Sequence, residues 1–183
     1  DCSNTVALPF PVTFYGQVFN SVNAISNGNL QFSSADTTFT NTCLPYAAGN
    51  YVIAPHWDDL LLTGAGQGIY YSTTGSAPNR VFNIEWRATY FSGGTSLGFE
   101  IRLYEGQKRF DIIYGTLNGT GTSATIGAQK DSNFYTQFEC NSGGLSVGLQ
   151  LSFQGAVCTD GGGACVIGGQ LGVNPSSLSF GTI

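Results

Sequence analysis

Charge is scarce in this sequence: only 9% of its 183 residues are Asp, Glu, Lys or Arg, against roughly 25% in an ordinary globular protein. Its six basic residues (Arg80, Arg87, Arg102, Lys108, Arg109 and Lys130) are scattered and build no stripe for a phosphate backbone. Nucleic acid is therefore excluded as the expected partner. Histidine is nearly absent too, with His56 alone. That leaves a serine or cysteine nucleophile without a choice of base, and no Gly-x-Ser-x-Gly elbow or Lys-Ser/Thr phosphate loop is present. The reading is of a protein that is not an enzyme. No apolar run approaches the ~20 residues of a membrane-spanning helix. Methionine is missing altogether and the chain begins at Asp1, which reads as a mature form freed of a signal peptide.

What is present is an ample core, with 42% apolar and 13% aromatic residues. Disorder needs low hydrophobicity and high charge, and this chain has neither. Two-residue alternation recurs, with turn signals between the runs. Phe82, Ile84, Trp86, Ala88 and Tyr90 point one way; Asn83, Glu85, Arg87 and Thr89 point the other. Leu97, Phe99, Ile101 and Leu103 alternate with Glu100 and Arg102, turn at 105–108, and return as Phe110, Ile112 and Tyr114. A further strand is expected over Leu145, Val147, Leu149, Leu151 and Phe153. Asn27-Gly28 between two apolar segments signals a hairpin. Ten or more short strands of this kind predict an all-β fold: a two-sheet antiparallel β-sandwich, jelly-roll or immunoglobulin-like, with an extended C-terminal strand.

Five cysteines point to an oxidising compartment, hence an extracellular or cell-surface location. Cys158 and Cys165 bracket a Gly-rich loop and are expected to pair, Cys43 and Cys140 form the second pair, and Cys2 is left unpaired or intermolecular. The organisation read from this is a sandwich over 1–157, a disulfide-closed linker over 158–172 and a terminal strand over 173–183. Asp58 and Asp59 beside His56 are the candidate calcium ligands, although neighbours on a strand face opposite ways. No other cofactor is implied. Asn118-Gly119-Thr120 fits an N-glycosylation site, and Asn41-Thr42-Cys43 is its rarer form. Tyr46, Tyr51, Tyr70, Tyr71 and Tyr90 are candidates for stacking on sugars.

Several segments occur in a telling order: Phe10 to Gly16, Ser26-Asn27-Gly28-Asn29-Leu30-Gln31-Phe32, Ile53-Ala54-Pro55-His56-Trp57-Asp58-Asp59-Leu60, Gly68 to Tyr71, and Phe82 to Arg87. Over residues 8 to 153 this resembles the nidogen-like (NIDO-like) β-sandwich of bacterial surface and secreted proteins. That family usually carries an aromatic where His56 stands. Residues 171–181 are similar to the first strand of a Hydin-like (ASH, choice-of-anchor) immunoglobulin domain. The resemblance implies surface, matrix or adhesive roles without shared catalysis. An apolar strand in water exposes unpaired backbone groups. Leu178, Phe180, Gly181 and Ile183 are therefore expected to complete a sheet, in the same chain or in a neighbour. Donation to a neighbour is non-closing and builds a pilus-like homopolymer or a surface layer. The alternatives are an adhesive module with glycan partners and an ancillary domain beside a secreted peptidase.

Overall fold

The computed structural model describes residues 1–155 and 172–177. Within them the chain forms β1 (Ser3–Phe14), β2 (Gln17–Ile25), β3 (Asn29–Gln31), β4 (Val52–Trp57), β5 (Leu60–Leu61), β6 (Gly68–Thr74) and β7 (Val81–Tyr90). It continues with β8 (Leu97–Tyr104), β9 (Arg109–Thr116), β10 (Thr125–Asp131), β11 (Phe134–Cys140), β12 (Leu149–Gln154) and β13 (Gly172–Ser177). One sheet has the order β1-β2-β3-β4-β10-β11. The larger runs β13-β12-β9-β8-β7-β5, with β6 also paired to β7. The all-β antiparallel sandwich is thus the fold.

The alternation read from the sequence is the alternation of burial. Phe82, Ile84, Trp86 and Ala88 on β7 and Leu97, Phe99, Ile101 and Leu103 on β8 are all buried, while Asn83, Glu85, Glu100 and Arg102 face outward. Trp86 is 0% exposed, and an indole N–H so placed needs an acceptor. It donates to the carbonyl of Ile25 at 2.9 Å. Phe99 stacks on Trp86 and Phe110 on Phe153 within the larger sheet, and Phe14 of β1 meets Phe110 edge-on across the core.

Two breaks in simple alternation shape the ends of the sheets. The expected strand over 145–153 starts only at Leu149: Ser146 accepts the Leu149 N–H in a turn, Gly148 has φ of +83°, and Val147 is exposed. A side chain on Gly148 would resist that backbone conformation. On β4, Ala54 lies opposite Gly127 but Trp57 lies opposite Thr125, so three steps of β4 match two of β10. This bulge resets the side-chain parity. Ile53 and His56 both turn inward, and Trp57 turns outward.

The outward face of the smaller sheet is not left to water. The segment 32–51 crosses it like a strap, with Tyr46 packed on Trp57 at 4.6 Å between centroids. The Trp57 indole donates to the carbonyl of Thr38. Gln129, fully buried, accepts from the Tyr46 N–H and donates to the Tyr46 and Gly49 carbonyls. A disulfide between Cys43 and Cys140 ties the strap to β11.

β13 pairs with β12 of its own chain over six residues, Leu149 opposite Ser177 to Gln154 opposite Gly172. The expected assembly residues Leu178, Phe180, Gly181 and Ile183, and the expected Cys158–Cys165 pair, lie outside the described residues.

Candidate functional site

The outer face of the larger sheet carries six of the chain's seventeen charged residues. Along each strand, residues two apart share a face, and three such steps form ion pairs: Arg87 with Glu85 (2.9 Å), Arg102 with Glu100, and Arg109 with Asp111 (2.6 Å). Glu85 and Glu100 lie directly opposite one another on β7 and β8. That like-charge pairing is unfavourable alone, and each glutamate is matched by its own arginine. Asp111 is fully buried, and burial by itself would raise its pKa. Hydrogen bonds from Arg109, Tyr104 and Ser152 outweigh that and hold it lower. Gln150 donates to the same carboxylate. Between β6, β7 and β8 the face dips into a groove of about 450 Å³ lined by Ser72, Thr74, Asn83, Glu100, Arg102 and Tyr104. Beside it the Arg87 guanidinium lies over the Tyr70 ring, 4.4 Å from its centroid.

One end of the sandwich gathers a second set of polar groups. The hairpin turn at Asn27-Gly28 docks against the 54–60 segment. The buried Asn27 side chain accepts the Leu60 N–H and donates to Asp1 and to the Thr37 carbonyl. Gly28 has φ of +74°, and a Cβ there would come within 2.0 Å of the His56 carbonyl oxygen. His56 is fully buried, stacked on Phe99 at 5.4 Å, with Nε2 2.9 Å from the Tyr90 hydroxyl. Burial pushes its pKa down to about 3, so the ring is neutral. Asp58 spends both carboxylate oxygens on the protein, accepting from the Asp59 N–H and the Ser123 hydroxyl. Burial raises its pKa despite those bonds. Among the described residues neither oxygen of Glu139 has a hydrogen-bond partner, nor has Nδ1 of His56; Glu139 is only 6% exposed and packs against Gly121 and Gly144. Desolvation lifts its pKa to about 7.

A profile described as NIDO related matches residues 1–149. The chain belongs to the NIDO-related family. Compared with curated proteins and with solved structures, it has no match. The match ends before β13, so it lends nothing to the immunoglobulin-like resemblance of residues 171–181. Membership of the NIDO-related family, with the Cys43–Cys140 disulfide, points to an extracellular protein. No helix is long and apolar enough to cross a membrane among the described residues.

This NIDO-related sandwich disperses the residues singled out in its sequence. Asp58 and Asp59 do not converge with a third ligand: among the described residues no three His, Cys, Asp or Glu side chains are grouped to hold a metal ion. The two most specific motif segments meet as structural partners, hairpin turn against bulged strand. Asn118 is half-buried, and its side-chain nitrogen, which would carry a glycan, packs against Gly94. Asn41 uses its amide on Thr125 and Asn141. Of the five candidate tyrosines, Tyr46 covers Trp57, Tyr51 packs on Phe14 and Phe19, and Tyr90 holds His56; only Tyr70 and Tyr71 are exposed. Cys2 is exposed and has no disulfide partner among the described residues. Glu139 was not legible in advance, because burial along β11 follows no clean alternation.

Proposed function

We propose that this chain is an extracellular, non-catalytic recognition module that binds polysaccharide across the outer face of its larger sheet. The observation that carries this reading is the array of arginine–carboxylate pairs around the groove at Asn83, Glu100 and Arg102. In a chain so poor in charge, three of six basic residues stand in this one array. The two exposed pairs, Arg87–Glu85 and Arg102–Glu100, contribute at most about 1 kcal/mol each to stability, so folding alone is a weak reason for them. A sugar presents neighbouring hydroxyls, each both donor and acceptor. A guanidinium beside a carboxylate offers the complementary pair, and because each holds the other in place, little side-chain entropy is lost on binding. Tyr104 and Tyr70 add ring surface at the two sides of the array.

The test is titration calorimetry against a panel of soluble neutral and uronate polysaccharides. Binding that weakens at least roughly tenfold in Arg102→Ala and Asn83→Ala, with folding unchanged, supports the reading. Binding untouched by both substitutions, or no binding across the panel, sinks it.

A second reading, a homopolymer joined by strand donation, is favoured by one feature. β13 reaches the edge strand β12 only after residues 156–171, so a neighbour's strand has the same edge available to it. Asp at both Leu178 and Phe180 should then abolish polymers seen by electron microscopy, and polymers that survive it refute donation.

A further inference from the structure

The sheet edges differ in how they are protected. An edge strand offers unpaired N–H and C=O groups, and proteins blunt it with proline, charge, bulges or short length. β1 carries Pro9 and Pro11 and breaks register between Ala7 and Val12. β11 has two register shifts against β10, and its last residue is bonded to the strap. β13 contains Pro175, and β5 is two residues long. β6 has none of these devices. Its seven residues, Gly-Ile-Tyr-Tyr-Ser-Thr-Thr, pair with β7 in unbroken register from Gly68 to Thr74 and carry no charge and no proline.

Its side chains are also left short of cover. Tyr71 stands opposite Ile84 and its ring lies 6.0 Å from Phe82, so it is on the core side of the sheet. Yet it is 60% exposed. Among the described residues β6 pairs only with β7, and Tyr71 is left largely uncovered at that edge.

We propose that β6 is a strand-addition edge that pairs antiparallel with β6 of a second copy about a two-fold axis at Tyr71. The strand is complementary to itself in that register. Tyr71 of one copy faces Tyr71 of the other, Ile69 faces Thr73, and Tyr70 faces Ser72, so the core-side residues meet on one face and the groove-side residues on the other. An aromatic pair across an antiparallel two-fold is favourable, and no like charges oppose the contact. The symmetry closes the assembly at two copies. It also sets the grooves lined by Ser72 and Thr74 side by side on one continuous sheet. The pairing stands independently of what those grooves bind.

Sedimentation equilibrium on the full chain, up to about 500 µM, tests it. The expected result is a reversible monomer–dimer equilibrium in the wild type. Tyr71→Lys places two cations opposite each other at an exposed position and should weaken dimerisation at least roughly tenfold. Phe91→Lys adds the same charge at another exposed aromatic and should leave it unchanged. In a Cys2→Ser background, Tyr71→Cys should cross-link into covalent dimers on mild oxidation. A wild type that stays monomeric throughout, a Tyr71→Lys chain that dimerises like the wild type, or a Tyr71→Cys chain that does not cross-link would overturn the proposal.

Discussion

Replacing Glu139 with Gln should change how stability depends on pH in a way that two buried groups dictate together. Glu139 has its pKa raised from the ordinary 4.5 to about 7 in the fold. The folded state then holds a proton the unfolded state releases, so stability falls as pH rises from about 4.5 to 7, by at most about 3 kcal/mol in all. His56 works in the opposite sense. Its pKa falls from 6.5 to about 3, so the unfolded state holds the extra proton and stability rises with pH through that window. Between about pH 4.5 and 6.5 each group contributes about 1.4 kcal/mol per pH unit, with opposite sign, and the two cancel.

The wild type should therefore be nearly flat there, while Glu139→Gln uncovers the His56 slope and gains about 2–3 kcal/mol across the same interval. Gln fills the space between Gly121 and Gly144 as Glu does, and only the slope is read, so any constant cost of a buried amide drops out. Tyr90, Tyr114 and Asp58 also face this region; burial raises the pKa of each, leaving the two tyrosines uncharged in the window. Urea unfolding at half-unit pH steps, followed by the fluorescence of buried Trp57 and Trp86, gives both curves. Parallel wild-type and Gln curves between pH 4.5 and 7 would refute the reasoning.

Particular contacts dictate three further outcomes. His56→Phe should keep the stack on Phe99 and abolish the loss of stability on acidification attributed to His56; in the Glu139→Gln background it should restore a flat profile, which the same titrations read. Gly28→Ala meets both a φ of +74° and the His56 carbonyl at 2.0 Å, and should cost at least about 2–4 kcal/mol, a figure that a loss under 1 kcal/mol in urea unfolding contradicts. Replacing Cys43 and Cys140 together by Ser opens a loop spanning 97 positions, worth about 5 kcal/mol in the chain-entropy account; calorimetry should show a lower Tm and quenching studies a more accessible Trp57.

Strands and core were largely legible because alternation maps directly onto burial where one face is wet, as on β7 and β8. The sequence signal failed where backbone conformation, not side-chain pattern, decides. Leu145 to Phe153 alternates without fault, but Gly148 turns the chain. The β4 bulge hides in Ala54-Pro55-His56-Trp57, a stretch buried on both faces, which therefore has no polar phase to betray the shift. That shift explains the departure at His56: the ring does an aromatic's packing work against Phe99. The groove is not legible in the sequence, because the pairs around it, two apart on separate strands, read only as the solvated half of an alternation. The exposure of Tyr71 on β6 depends on what packs over that edge, which no local pattern encodes.

The Asn27-Gly28 turn has a bearing on the order of folding. As a local hairpin signal it invites early closure, and β2 and β3 can meet within a few residues. Its buried amide, however, is satisfied by Asp1, Thr37 and Leu60, three segments that arrive separately. The turn can form quickly but locks only when the N-terminus, β5 and the strap have docked. Interactions completed that late act mainly on the unfolding rate. Asn27→Ala should accordingly speed unfolding while leaving refolding almost unchanged, making this turn a latch on the lifetime of the folded state.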